Sequence, residues 1–143
     1  MAEGDIVFYN NFKEQLMKKQ IDLVADVLTL TLHTGYTPNI DTHAAWADVS
    51  ATEYGTASGY TAGGKTLANK AVTQDDTDDE GVFDADNAVW TALGPLSPAT
   101  PSHAIILDTT TDMLVGYVEL GVTATNGGDY TVAWNAEGIA NIN

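Results

Sequence analysis

Val27-Leu28-Thr29-Leu30-Thr31-Leu32 alternates apolar and polar residues with a period of two. Leu28, Leu30 and Leu32 fall on one face and the two threonines on the other, which is the pattern of a half-buried β-strand. Gly35-Tyr36-Thr37-Pro38-Asn39 breaks the run on its C-terminal side. A loop-rich stretch then extends to Gly64, with one short helical turn expected at 44–49.

Working outward, the same reading gives strands at 66–73, 81–86, 88–92, 103–108, 113–120 and 129–134. Thr109-Thr110-Thr111-Asp112 joins two of them as a hairpin. Before the first strand the period changes from two to four. Phe8, Phe12 and Leu16 recur on one stripe, with Tyr9 beside them, and predict a helix over 6–20. Asp5 is its expected cap, and Lys18 and Lys19 sit where the helix dipole favours cations.

About seven short strands divided by Gly, Pro, Asn and Asp clusters predict a mainly β fold. An antiparallel sandwich or barrel with one N-terminal helix is expected, and one helix is too few for βαβ units. At 143 residues and 44% hydrophobic content the chain can bury a core of its own. The expected organisation is a helical arm, 1–20, on a single β domain, 21–143.

Charge separates the same two parts. In residues 1–20, Glu3, Asp5 and Glu14 balance Lys13, Lys18 and Lys19. The remaining 17 acids face only Lys65 and Lys70, which accounts for the whole net charge of −15. So anionic a body lacks the basic footprint that nucleic acid requires. The absence of cysteine excludes disulfides, thiolate zinc and thiol catalysis. The N-terminus is acidic where a secretory leader would be basic, and the longest clean apolar run, 104–107, is too short to span a bilayer. Neither export nor a membrane partner is therefore expected.

Four features bear on chemistry. Gly59-Tyr60-Thr61-Ala62-Gly63-Gly64-Lys65-Thr66 satisfies the phosphate-loop pattern, and 104–108 resembles a second, magnesium-binding strand. Such a loop must follow a buried strand and open a helix. Here 51–58 is polar and glycine-broken, and 67–72 runs directly into an acidic stretch. That stretch, Asp75 to Asp86, holds seven carboxylates and reads as a solvated hairpin loop. A weak calcium site at Asp76, Asp78, Glu80 and Asp84 is the alternative, although Asn87 stands where a calcium loop needs glutamate. His33, His43 and His103 are far apart, with no pair at metal-ligand spacing. Trp46, Trp90 and Trp134 read as core or rim aromatics, with a sugar-stacking platform the alternative. No cofactor is implied.

Tyr36-Thr37-Pro38-Asn39-Ile40-Asp41-Thr42-His43 with Trp46-Ala47-Asp48-Val49, and Gly59 through Leu67, resemble segments of a family of small tailed-bacteriophage structural proteins. Val82-Phe83-Asp84-Ala85-Asp86, Val89-Trp90, the opening from Tyr9 to Leu23 and the close from Tyr130 to Ile139 extend the likeness, in order, over almost the whole chain. The resemblance implies a non-enzymatic virion component of the capsid decoration (cement), head-fibre or tail-associated kind, assembled in the host bacterial cytoplasm. The implied partner is the major capsid protein. A homotrimer is inferred from the local three-fold positions of an icosahedral shell. On this reading Phe8, Phe12, Lys13, Leu16, Lys18 and Lys19 form the docking surface; the alternative for the Phe8, Phe12 and Leu16 stripe is that it packs on the chain's own sheet. The alternative is a tail or fibre module recognising the host surface, for which an exposed Trp46 or Tyr60 would be the sign. An enzyme would most concretely be a nucleotide hydrolase using Lys65.

Overall fold

The structure, a computed structural model, describes residues 5–56, 59–94, 100–121 and 125–143. Among these the chain forms β1 (Val7–Phe8), α1 (Asn10–Met17), β2 (Leu28–His33), β3 (Lys65–Thr66), β4 (Ala71–Asp75) and β5 (Glu80–Asp84). It continues with β6 (Ala88–Trp90), β7 (His103–Asp108), β8 (Met113–Glu119), β9 (Tyr130–Val132) and β10 (Ala140–Ile142). Two single 3-10 turns, Trp46–Asp48 and Ser50–Thr52, occupy the loop-rich stretch.

All strand pairs are antiparallel. One sheet has the order β1-β8-β7-β2-β3, a second β10-β5-β4, and β6 pairs with β9. The fold is thus mainly β, and its sheets stay open, so the barrel form of the expectation does not hold. The largest sheet supplies Leu28, Leu30, Leu32, Ala104, Ile106 and Val115 to one core cluster. Phe83, Ala88, Trp90, Tyr130 and Val132 from the two smaller sheets complete it. That packing gives the layered arrangement of a sandwich.

The opposite face of the large sheet corrects the first expectation. Thr31 and His33 are fully buried there, beside Ile105, Leu107 and Leu114. Tyr9, Tyr36 and Val49 cover that face, with Ile40 and Trp46 packed against them. The residues following β2 fold back over the sheet, so polar positions meant for solvent need partners inside. Thr31 finds them in the Ile105 carbonyl and His33 Nε2, at 3.2 and 2.8 Å.

Helix α1 is shorter than expected and begins later. Val7 and Phe8 pair with Tyr117 and Gly116 of β8 before the chain turns into the helix. The N-cap is Tyr9, without a side-chain cap, so Asp5 does not fill that role. Lys19 takes a left-handed conformation, φ 59°, at the helix end. Tyr9 and Phe12 are both core residues, so this segment packs on the β domain. The expected strand at 66–73 divides in two because Asn69 turns the chain at φ 52°. The strand at 88–92 stops at Trp90, and Ala92 turns with φ 52°. Strand β10, which pairs with β5, was not expected from the sequence.

Candidate docking groove

An apolar groove of about 560 Å³ lies between α1 and the β10-β5-β4 sheet. Phe8, Phe12 and Leu16 line one wall, joined by Leu23, and Val72, Val82, Phe83 and Ile142 line the other. Phe8 stacks on Phe12 with ring centroids 5.0 Å apart. Phe12 and Phe83 are buried, while Met17, Ile142 and Val72 are 81%, 68% and 54% exposed. An exposed methionine, isoleucine and valine around one depression form the kind of patch that marks a contact surface. Lys13 also borders the groove.

Of the six docking residues expected from the sequence, Phe8, Phe12, Lys13 and Leu16 therefore line one feature. Lys18 and Lys19 lie beyond the last helical turn, where Lys18 pairs with Glu14. The second wall could not be anticipated, because β10 has no alternation to announce it.

The acidic run is the hairpin between β4 and β5. Ligand atoms of Asp75, Asp78 and Glu80 lie within 4.8 Å of one another. Asp76 and Asp84, both named in the calcium alternative, are outside that group. Asp84 sits on β5 opposite Ala71, and Asp76 accepts from Gln74. Asp75 already accepts from the amides of Thr77 and Asp78 at 2.8 and 3.3 Å, an ordinary turn arrangement.

The phosphate-loop string builds a turn and an edge strand. Lys65 and Thr66 form β3, paired with Leu30 and Thr29. No helix follows them. The Gly63 amide donates to Glu53 Oε1 at 2.6 Å, and Tyr60 OH donates to the same oxygen at 2.9 Å. A carboxylate of the chain itself thus holds the amide that would otherwise be offered to a phosphate.

The three histidines, distant in sequence, converge on Tyr36. Its ring centroid lies 5.8, 5.6 and 5.2 Å from those of His33, His43 and His103. Strand pairing does this, since His33 and His103 are register partners. The ring nitrogens are engaged locally. His33 contacts the hydroxyls of Thr31 and Thr52 at 2.8 and 3.0 Å, and His43 Nδ1 contacts Tyr36 OH at 2.8 Å. His103 Nδ1 contacts Ser102 Oγ at 2.9 Å. Tyr36 OH also meets Tyr9 OH at 2.7 Å, and burial pushes the Tyr9 hydroxyl far above its ordinary pKa, so it stays protonated. Burial, and secondarily His103, lowers His33 to about 4.

The tryptophans make no common platform, because Trp90 is a core residue while Trp46 packs on the opposite face of the large sheet. Tyr60 is buried as well, with its hydroxyl accepting from the Leu32 amide. Among the described residues no helix is long and apolar enough to cross a membrane. Comparison with protein-family models, with curated proteins and with solved structures finds no match for this chain.

Proposed function

We propose that this chain is a non-enzymatic bacteriophage virion protein, a capsid decoration protein that binds the outer face of the major capsid lattice and stabilises the head. The observation that carries the reading is the groove. The apolar stripe of the charge-neutral N-terminal segment lines it, on a molecule whose remaining residues hold the entire −15. A protein present at high concentration before assembly is kept apart from its copies by such charge, and docks through an apolar groove. The resemblance of the ordered segments from Tyr9 to Ile139 to phage structural proteins supplies the class of partner. Occupancy as a homotrimer at local three-fold positions follows from shell symmetry. The host-recognition alternative, which asks for an exposed Trp46 or Tyr60, is weakened by the burial of Tyr60 and by the packing of Trp46 against the large sheet.

The test is co-sedimentation with capsids lacking the protein, read by gel densitometry. The wild-type chain should saturate at a fixed ratio to the shell protein. Met17→Asp with Ile142→Asp alters two strongly exposed rim residues, so the circular dichroism should not change. Binding should fall at least about tenfold, since each removes apolar area from the contact. Saturation by the double variant at the wild-type ratio and concentration would sink the groove as docking surface. Failure of the wild-type chain to co-sediment at all would sink the capsid assignment.

A further inference from the structure

The docking groove does not end at its apolar walls. Val72, Gly81 and Ile142 also line a second, shallow depression of about 610 Å³ at the turn end of the β4–β5 hairpin, so the two features are continuous. Strand register makes the junction, since Ile142 stands opposite Gly81 and Val72 opposite the buried Phe83. Toward the turn the lining changes from apolar to acidic. Asp75 and Glu80 are register partners there, and Asp76 and Asp79 belong to the turn itself. The apolar groove thus opens onto four carboxylates.

The chain does not balance their charge. Asp75 accepts from two turn amides, Asp76 from the Gln74 side chain and Glu80 from Asn141 Nδ2 at 2.8 Å, and all of these donors are neutral. Among the described residues the ion pair that forms is Lys18 with Glu14, on the helix. Lys13 borders the apolar part of the groove but not the acidic depression. A segment laid in the apolar part removes Val72 and Ile142 from water whatever its charge. What it carries at the hairpin end meets a field of one sign, which attracts a cation and repels an anion. A second copy of this chain, itself at −15, is opposed by the same field.

Taking the groove as the capsid-docking surface, and resting on that reading, we propose that it receives a partner segment of one chemistry: an apolar run followed by lysine or arginine. The apolar side chains lie against Val72, Ile142 and the α1 stripe, and the basic ones over Asp76 and Asp79. Apolar burial supplies most of the affinity, because exposed charge pairs each contribute little. The acidic end fixes the direction in which the segment lies and rejects acidic sequences.

The experiment titrates the isotope-labelled full chain with two end-blocked synthetic peptides, Leu-Ile-Leu-Leu-Lys-Lys and Leu-Ile-Leu-Leu-Glu-Glu, and follows backbone amide shifts by NMR. The lysine peptide should move the amides of Val72, Asp76, Asp79, Gly81 and Ile142. It should bind at least about tenfold more tightly than the glutamate peptide at low salt, with the gap narrowing at about 0.5 M NaCl. Asp76→Asn with Asp79→Asn changes two exposed turn residues and should erase most of that preference while leaving the apolar contribution. Val72→Asn with Ile142→Asn, also at exposed positions, should weaken both peptides. Equal binding of the two peptides, shifts confined to another part of the chain, or a preference unchanged in the aspartate variant overturns the proposal. A dimer in sedimentation equilibrium that Val72→Asn with Ile142→Asn dissociates would give the groove to a second copy and overturn it as well. Co-sedimentation decides the capsid assignment separately. A wild type that prefers the lysine peptide but does not pellet with capsids upholds the chemistry of the groove and removes the capsid as its partner.

Discussion

Acidification should loosen this protein through one histidine. His33 is fully buried at the end of β2, its two ring nitrogens held by the hydroxyls of Thr31 and Thr52. Its register partner is His103, so a proton on His33 would be buried beside a second imidazole. Burial, and then His103, lowers the folded pKa from 6.5 to about 4. Above pH 6.5 the ring is neutral in both states and contributes no pH dependence. As pH falls from 6.5 toward 4, the unfolded chain takes a proton that the folded chain refuses. Stability is lost at up to about 1.4 kcal/mol per pH unit over that window, roughly 3 kcal/mol in all, and levels off below it. For a domain of this length that is roughly 10 °C in Tm. His33→Gln keeps hydrogen-bonding capacity and removes the titration. Urea unfolding of both proteins at pH 7.5, 6, 5 and 4 isolates the contribution, because the shared carboxylates cancel in the difference. The advantage of wild type over variant should shrink by about 3 kcal/mol between pH 7.5 and 4. Parallel profiles would refute the argument, since they would mean that His33 accepts its proton in the folded state.

Two substitutions probe the remaining architecture. Gly64→Ala should destabilise by at least about 2 kcal/mol in chemical denaturation, because a Cβ there would stand 2.0 Å from the Leu30 carbonyl oxygen at φ +72°. A change under about 0.5 kcal/mol would show that β3 does not approach β2 so closely. Tyr36→Phe should cost about 1–3 kcal/mol, since it strands the fully buried Tyr9 hydroxyl. The double variant with Tyr9→Phe should recover part of that loss, and simple additivity would argue against the pair.

How much of this was legible depends on how far each signal reaches along the chain. Leu28, Leu30 and Leu32 announce a strand because alternation is local, and the structure keeps all three in the core. The burial of Thr31 and His33 was illegible for the same reason. Which stretch covers a sheet face is decided by contacts across many residues, and 34–56 has no periodicity that reveals it. Phe8 fits the helical stripe by spacing, yet β8 offers it a strand partner, and pairing with Gly116 prevails. The groove was half visible. Its α1 wall follows from a four-residue repeat, whereas its other wall needs β10 set beside β5. The histidine cluster appears only once β2 and β7 are placed in register.

The phosphate-loop string shows why letters alone mislead. Gly59 and Gly64, which fix its spacing, both have positive φ, and both lie where a Cβ would strike backbone. At Gly59 the obstruction is the Thr91 carbonyl oxygen, 2.6 Å away, and at Gly64 it is Leu30. Two separate close approaches, one to the segment after β6 and one to β2, demand glycine at the ends of the string. Between them Tyr60 is anchored inward, and its hydroxyl shares Glu53 with the Gly63 amide. Glycine spacing that elsewhere shapes a cradle for phosphate here admits neighbouring backbone, and the anion at the loop is supplied by the chain. Lys65 follows Gly64 into β3 as an exposed residue of the edge strand, where a charge discourages pairing with another sheet.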